Sequence, residues 1–247
     1  MKLGVIQMPM AWTTAENCQA ICGYIHQYST LDALIFPELS LSGFHRDIRS
    51  QCASSLIKPA LQEVADACRS AGVMAFIGAP IFEHSSGYNS YLAISAQGEV
   101  LIQWDKVGLT PSEASFFSAG TDRSPLAYQD QYIGAFLCRE AEDVSWFVQQ
   151  SQGVNFHFVL WPAYIGSQDN DVNHRYFQGA VSIAQQLKTW VIQCNWPESL
   201  NDPSITGLGG SKVIAPDGRL ILQMPVDEAA VAILDCKTER VQIISTQ

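Results

Sequence analysis

Three short segments, far apart in the chain, each end on a side chain that acyl transfer needs. Glu38 closes the run Leu34-Ile35-Phe36-Pro37, Lys106 follows Leu101-Ile102-Gln103-Trp104-Asp105, and Cys138 closes Gly134-Ala135-Phe136-Leu137. A carboxylate, an ammonium and a thiol brought together supply a base, a charge stabiliser and a nucleophile without metal or cofactor. Nearly continuous apolar runs read as buried strands, and strand ends can hold such groups against a rigid sheet.

Each residue also has a plainer explanation. Free cysteine is among the most buried residue types, so Cys138 could be a small core hydrophobe; the charged pair Arg139-Glu140 directly after it favours a reactive junction. Glu38 could be a solvated strand end. The segment after it, Leu39-Ser40-Leu41-Ser42-Gly43-Phe44, stays apolar and turn-like, which points to a partly buried carboxylate with a raised pKa, suited to a general base. Taken alone, Lys106 reads as a surface lysine at a hairpin end. Glu113, seven residues on, could make with it a rim salt bridge of little worth, or fix the ammonium over a reacting carbonyl.

The elements that must position these groups are short β-rich runs at 2–8, 32–37, 73–80, 90–96, 99–104, 131–138, 156–162, 189–195, 211–215, 219–224 and 229–235. Helices are expected over 14–29, where Thr13 and Glu16 form a capping-box pattern, over 59–70 with Pro59 in the first turn, and over 171–187. Ala96-Gln97-Gly98-Glu99 and Ala215-Pro216-Asp217-Gly218 read as hairpin turns. Strand, helix and strand followed by hairpin pairs imply an α/β fold, with mixed sheets covered by helices.

Composition is consistent with this. The chain has 247 residues, 47% hydrophobic and 15% charged, enough for a substantial core in one domain spanning 1–247. A formal net charge of -10 argues against non-specific binding of nucleic acid or anionic membranes. Seven irregularly spaced cysteines fit reduced thiols in a cytoplasmic protein better than a disulfide framework. No apolar stretch reaches the roughly 18–20 residues a membrane span requires, and no leader-like apolar region opens the chain.

The ordered set of segments resembles the nitrilase superfamily of carbon–nitrogen hydrolases. The resemblance rests on Phe36-Pro37-Glu38-Leu39 with Ser42-Gly43-Phe44, on Lys106-Val107-Gly108-Leu109-Thr110-Pro111-Ser112-Glu113, and on Gly134-Ala135-Phe136-Leu137-Cys138-Arg139-Glu140. Trp161-Pro162-Ala163, Gln193-Cys194-Asn195, Gly209-Gly210-Ser211 and Pro216-Asp217-Gly218 extend it over essentially the whole chain. The resemblance implies a four-layer αββα sandwich, a Glu38–Lys106–Cys138 triad with Glu113 as a second glutamate, no cofactor and a paired-subunit homodimer. It implies a small-molecule amide-like substrate cleaved at a carbon–nitrogen bond other than a peptide bond. Nitrile or N-carbamoyl-amine hydrolysis by the same triad, or a catalytically silent ligand-binding relative, are the alternatives. The backbone N–H of Arg139 is expected at the oxyanion, and Trp161 and Tyr164, with Phe116 and Phe117, in an apolar substrate pocket. Departures follow the nucleophile: Glu140 keeps the family's acid, but Glu142 stands at its usual arginine position and its Phe-Pro-Glu-like run is missing. Gln186-Leu187 replaces the usual Glu-Asn pair.

Other chemistries fit less well. The histidines at 26, 45, 84, 157 and 174 sit in no thiol-protease signature, and no second ligand pair accompanies Cys18 and Cys22 to make a zinc site. Gly207-Leu208-Gly209-Gly210 is too short for a dinucleotide fingerprint.

Overall fold

Strand after strand, the apolar runs build two mixed sheets. The computed structural model describes residues 1–83, 86–166 and 170–245. In chain order the elements are β1 (Lys2–Gln7), α1 (Thr14–Gln27), β2 (Ala33–Ile35), α2 (Ile48–Gln51), α3 (Ser54–Ala71), β3 (Met74–Glu83), β4 (Ser86–Ile94), β5 (Val100–Asp105), α4 (Pro111–Ala114), β6 (Leu126–Tyr128) and β7 (Gln131–Ala135). A 3₁₀ turn (Cys138–Glu142) follows, then α5 (Val144–Gln150), β8 (Phe156–Ala163), α6 (Asn170–Leu187), β9 (Trp190–Asn195), β10 (Lys212–Ile214), β11 (Leu220–Gln223), β12 (Ala230–Asp235) and β13 (Arg240–Ser245).

The first sheet runs β13-β12-β1-β2-β3-β4-β5 and the second β11-β10-β9-β8-β7-β6. In each, three central strands are parallel, β1-β2-β3 and β7-β8-β9, and antiparallel strands flank them. Parallel strands need helical crossovers, which is where α1, α3 and α6 come from.

Period-two alternation sends half of each strand to each face. Val5, Ile35, Phe76 and Trp104 of the first sheet meet Ile133, Phe158, Leu160 and Ile192 of the second in a core between the sheets. On the outer face of the first sheet, Ile6, Leu34 and Ile77 pack under Ile21 and Ile25 of α1 and Val64 and Cys68 of α3. On the outer face of the second, Phe136, Val159 and Val191 pack under Phe147 of α5 and Ala180, Ile183 and Ala184 of α6. The layers are therefore αββα, with mixed sheets inside.

Local chemistry explains the helix ends. The Thr13 hydroxyl accepts from the Glu16 N–H at 3.2 Å and the Glu16 carboxylate accepts from the Thr13 N–H at 3.2 Å, a closed capping box that starts α1. Helix α3 begins at Ser54, earlier than the expected start at 59, so Pro59 lies inside it. Proline there removes one helical donor, and the buried face of Ile57, Ala60, Val64, Ala67 and Cys68 outweighs that loss. Gly72, at φ 69°, ends the helix in the left-handed conformation glycine tolerates. Strands β6 and β13 and the short α2, α4 and α5 were not expected; β6 has three residues and β13 is an edge strand, so neither carries a long apolar run.

Candidate active site

Lys106 directly follows β5. Its backbone is fixed on both sides: its N–H donates to Asn89 O at 2.8 Å, and its carbonyl accepts from Gly120 N–H at 2.9 Å. The side chain turns inward and is 1% exposed. There Nζ donates to Glu38 Oε1 at 2.7 Å and to Glu113 Oε1 at 2.6 Å. Asn89, on β4, donates through Nδ2 to the same two oxygens, at 2.9 and 3.2 Å. One ammonium and one amide thus bridge two buried carboxylates.

Glu38 follows β2 at a tight turn in which Leu39 adopts φ 50°. The turn presses on β3 at Gly78, where a Cβ would stand 2.1 Å from Leu39 N, so only glycine fits. Trp196 Nε1 donates to Glu38 O at 2.7 Å and holds the turn from the other side. Glu38 is fully buried, and Oε2 has no hydrogen-bond partner among the described residues. Glu113 is placed by the capping box of α4: Oε2 accepts from Thr110 N–H at 2.8 Å, and Thr110 Oγ1 accepts from Glu113 N–H at 3.2 Å.

Burial pushes the Glu38 pKa up, with the Glu113 charge adding to it and Lys106 and Asn89 opposing. Burial alone would lower the Lys106 pKa, but the facing carboxylates outweigh it and raise the pKa. The ammonium is therefore locked in its charged form.

Cys138 opens the 3₁₀ turn at φ 48°, in the left-handed region that a non-glycine residue enters only under constraint. Trp161 Nε1 donates to its carbonyl at 2.9 Å, and Sγ lies 3.7 Å from Tyr164 O. Burial, then the Glu38 charge, raises the thiol pKa against the pull of Lys106, so the group rests as a thiol. Glu140, two residues on, binds the two halves of the site together. Its carboxylate accepts from Leu137 N–H at 2.7 Å, from Val107 and Gly108 N–H at 2.6 and 3.0 Å, and from Arg123 through Nε at 3.2 Å and through Nη2. Arg123 also donates to Asp105 O. Burial disfavours the charged carboxylate, but Arg123 and the backbone donors overcome it and the Glu140 pKa falls.

A cavity of about 280 Å³ opens over Lys106, Glu113 and Cys138, walled by Phe44, Tyr164 and Tyr176. Phe44 and Tyr164 stack with ring centroids 4.7 Å apart. Burial, and then the neighbouring Cys138, push the Tyr176 hydroxyl up to about 12. An ammonium, a carboxylate and a thiol around one cavity, with the buried Glu38 carboxylate paired to the same ammonium, form an arrangement suited to acyl transfer, and the model of the carbon–nitrogen hydrolase family matches residues 2–244. The chain belongs to the carbon–nitrogen hydrolase family.

Among curated relatives of this amidase-like hydrolase, an (R)-stereoselective amidase of a Pseudomonas species is 25% identical over 199 residues, which is 80% of this chain and 70% of that protein. A protein of Pseudomonas protegens described as a hydrolase in the pqqF 5′ region is 26% identical over 238 residues, 90% of this chain and 78% of that protein. Solved structures of the nitrilase-superfamily amidase from Nesterenkonia sp. AN1 share the fold. A cysteine-to-alanine variant in complex with butyramide superposes with a TM-score of 0.83 at 19% identity, covering 97% of this chain and 94% of that one. A glutamate-to-glutamine variant of that amidase, showing Michael addition of acrylamide at its active-site cysteine, gives 0.82 at 19% identity over 95% and 92%.

In this carbon–nitrogen hydrolase, Glu38, Lys106, Glu113 and Cys138 gather as neighbours, and the solvated readings of Glu38 and Lys106 fall because both side chains are buried. Tyr164 lines the cavity. Trp161 does not; it lies behind Cys138 on Phe136, holds the Cys138 carbonyl and walls an adjacent cavity. The Arg139 side chain also leaves the cavity, reaching Asp143 at 3.4 Å and Glu142 at 4.0 Å. Phe116 and Phe117 wall a third cavity of about 460 Å³, where Arg49 lies over the Phe116 ring. The two glutamates after Cys138 differ: Glu142 pairs with Arg175 of α6 at 2.9 Å near the surface, whereas Glu140 is buried.

None of His26, His45, His157 and His174 lines the Cys138 cavity; His84 lies outside the described residues. Cys18 and Cys22 sit among core residues of α1, and no cluster of His, Cys, Asp or Glu able to hold a metal occurs among the described residues. Asn89, Arg123 and Tyr176 were not foreseen. A sequence signal existed for Asn89, a polar residue in the middle of Tyr88-Asn89-Ser90-Tyr91-Leu92. Arg123 lies in the irregular stretch between α4 and β6 and Tyr176 on α6, where nothing marks them out.

Proposed function

We propose that this chain hydrolyses a small amide through a Cys138 thioester, with Glu38 as base, Lys106 as oxyanion stabiliser and Glu113 as the anchor of Lys106. The reading rests on one observation: Lys106, Glu113 and Cys138 share the walls of a single cavity, and the fully buried Glu38 pairs with the same Lys106.

Glu38 takes the thiol proton as sulfur bonds to the amide carbon, and the carbonyl electrons move onto oxygen. Lys106 and the Arg139 N–H face the new oxyanion; one such donor contributes on the order of 3–4 kcal/mol. Protonated Glu38 passes its proton to nitrogen, the carbon–nitrogen bond breaks, and ammonia or an amine leaves a thioester. Glu38 then takes a proton from water as its oxygen adds to the thioester. Collapse expels the Cys138 sulfur, which regains that proton, and releases the acid. A raised Glu38 pKa makes its carboxylate a stronger base toward the thiol proton than an ordinary glutamate.

An amide carbonyl makes fuller use of these donors than a nitrile does; nitriles and N-carbamoyl amines are the competing substrates for the same residues. A screen of small amides, ω-amides, N-carbamoyl amines and nitriles, reading released ammonia, separates them. Cys138→Ala should abolish turnover and the acyl adduct seen by mass spectrometry. Undiminished hydrolysis by that variant would sink the assignment, and the lack of an adduct with every amide would favour a silent binder. None of the seven cysteines is in a disulfide, which supports a reducing, cytoplasmic setting. The paired-subunit state implied by the family resemblance is checked by light scattering.

A further inference from the structure

The Cys138 cavity shares Ile165, Asn173 and Tyr176 with a second cavity of about 360 Å³. Sheet register explains what lines the second one. Trp161 of β8 stands opposite Gln193 of β9, and Lys212 of β10 stands opposite Gln223 of β11. Because Val213 pairs with Ile192, Lys212 falls beside Gln193. Trp161, Gln193, Lys212 and Gln223 thus make one row across four strands, apolar next to the nucleophile and cationic away from it, and all four wall the cavity.

The charge balance along that row is incomplete. The buried cation Lys106 has two carboxylates and the buried Arg123 has one. The half-buried Lys212 forms no ion pair among the described residues; its Nζ donates to Gly210 O at 2.9 Å and to Gln193 Oε1 at 3.5 Å. Burial pushes its pKa down, and no neighbouring charge opposes the shift. A desolvated ammonium without a counter-charge is costly, and this chain carries 24 acidic residues against 14 lysines and arginines, so carboxylates are not scarce. Two donors also converge at the glycine turn: Gln223 Nε2 and Lys212 Nζ stand 3.6 and 3.8 Å from where a Cβ on Gly210 would be.

We infer that this second cavity is an anion subsite, in which Lys212 and Gln223 hold a carboxylate at the far end of the substrate whose amide reaches Cys138. The inference rests on the amidase reading above and names the chemistry of the substrate's non-reacting arm. Strands lie about 4.8 Å apart, so β10 stands roughly 14 Å from β7, and a substrate spanning the two sites is elongated.

The test uses Cys138→Ala, which binds without turnover, and calorimetric titration with monoamides of linear dicarboxylic acids from succinic to sebacic. Neutral alkyl amides of matched length are the controls. The longer anionic amides should bind roughly 10- to 100-fold tighter than their neutral counterparts. Adding Lys212→Met should erase that preference while leaving neutral amides unchanged, and Lys212→Arg should restore part of it. An unchanged thermal midpoint in Lys212→Met shows that the fold is intact.

Equal binding of anionic and neutral amides would overturn the inference. So would a preference that survives Lys212→Met and disappears in Arg49→Met, which would move the charge to the cavity of Phe116. If the unmodified enzyme cleaves neutral amides and shows no carboxylate preference, the amidase reading stands and the subsite falls. If free dicarboxylates bind in a Lys212-dependent way and no amide is cleaved, the subsite stands and the amidase reading falls.

Discussion

Replacing Glu140 by Gln preserves side-chain shape and removes one charge, and its consequences can be worked out from the hydrogen bonds. The carboxylate accepts from three backbone N–H groups, those of Val107, Gly108 and Leu137, and from two nitrogens of Arg123. Both side chains of the ion pair are fully or almost fully buried. Glutamine keeps one acceptor oxygen, points an NH₂ group at donors, and leaves the Arg123 guanidinium without a counter-charge. Removing one partner of a buried pair costs about 3–5 kcal/mol. At roughly 2–4 °C per kcal/mol for a domain of this size, the thermal midpoint should drop by roughly 6–20 °C.

Urea unfolding and calorimetry read the loss. A double-variant cycle with Arg123→Met locates it: once both charges are gone, about half of the Glu140→Gln penalty should return. Acidity gives a second signature. The folded Glu140 pKa lies below its ordinary 4.5, so its stabilisation is complete above that value and is lost as pH falls through the depressed folded pKa. Parent stability should fall on acidification below about pH 4.5 more steeply than that of Glu140→Gln. Because the same carboxylate holds the backbone beside Lys106 and beside Cys138, kcat should fall more than KM rises. A variant within about 0.5 kcal/mol of the parent, or no coupling to Arg123, would refute the reasoning.

Glu38 titrates with the opposite sign: burial raises its folded pKa above 4.5, so its share of stability is present below the unfolded value and is lost as pH rises through the folded one. The acid limb of kcat/KM should accordingly lie above 4.5, and a limb at or below that value would remove Glu38 as the base. Gly179→Ala should destabilise by about 1–3 kcal/mol or more, since its Cβ would stand 1.8 Å from Ala141 O and drive α6 off the 3₁₀ turn that Cys138 opens; unchanged urea unfolding would contradict that contact. Asn89→Leu removes the amide that bridges Glu38 and Glu113, and should raise the acid limb of the rate profile further; a limb that stays put would show that the amide does not hold the Glu38 pKa down.

The proposed trio of Glu38, Lys106 and Cys138 was legible because its signal is local. A carboxylate, a lysine and a cysteine each sit where an apolar run stops, and the ordered motifs around them are short and contiguous. The Thr13 capping box and the two hairpin turns were readable for the same reason: each depends on residues within a few positions of one another. Elements that draw their stability from distant partners were less visible. Three residues suffice for β6 because β7 pairs with it, and α3 reaches back past Pro59 because its buried face outweighs one lost hydrogen bond.

The amino-acid sequence by itself determined which residues can do chemistry, most of the longer strands and helices, and the family to which they belong. Tertiary structure alone decided what surrounds each charge. Sheet pairing brings Asn89 between Glu38 and Glu113, although 51 positions separate it from Glu38 and 24 from Glu113. Arg123 comes to lie under Glu140 in the same way, and the register of β8, β9, β10 and β11 sets Lys212 in line with Trp161. The physical reason is that a pKa, a buried ion pair or an uncompensated ammonium depends on distance and on the exclusion of water. Chain folding sets both, and neither is a property of neighbouring letters.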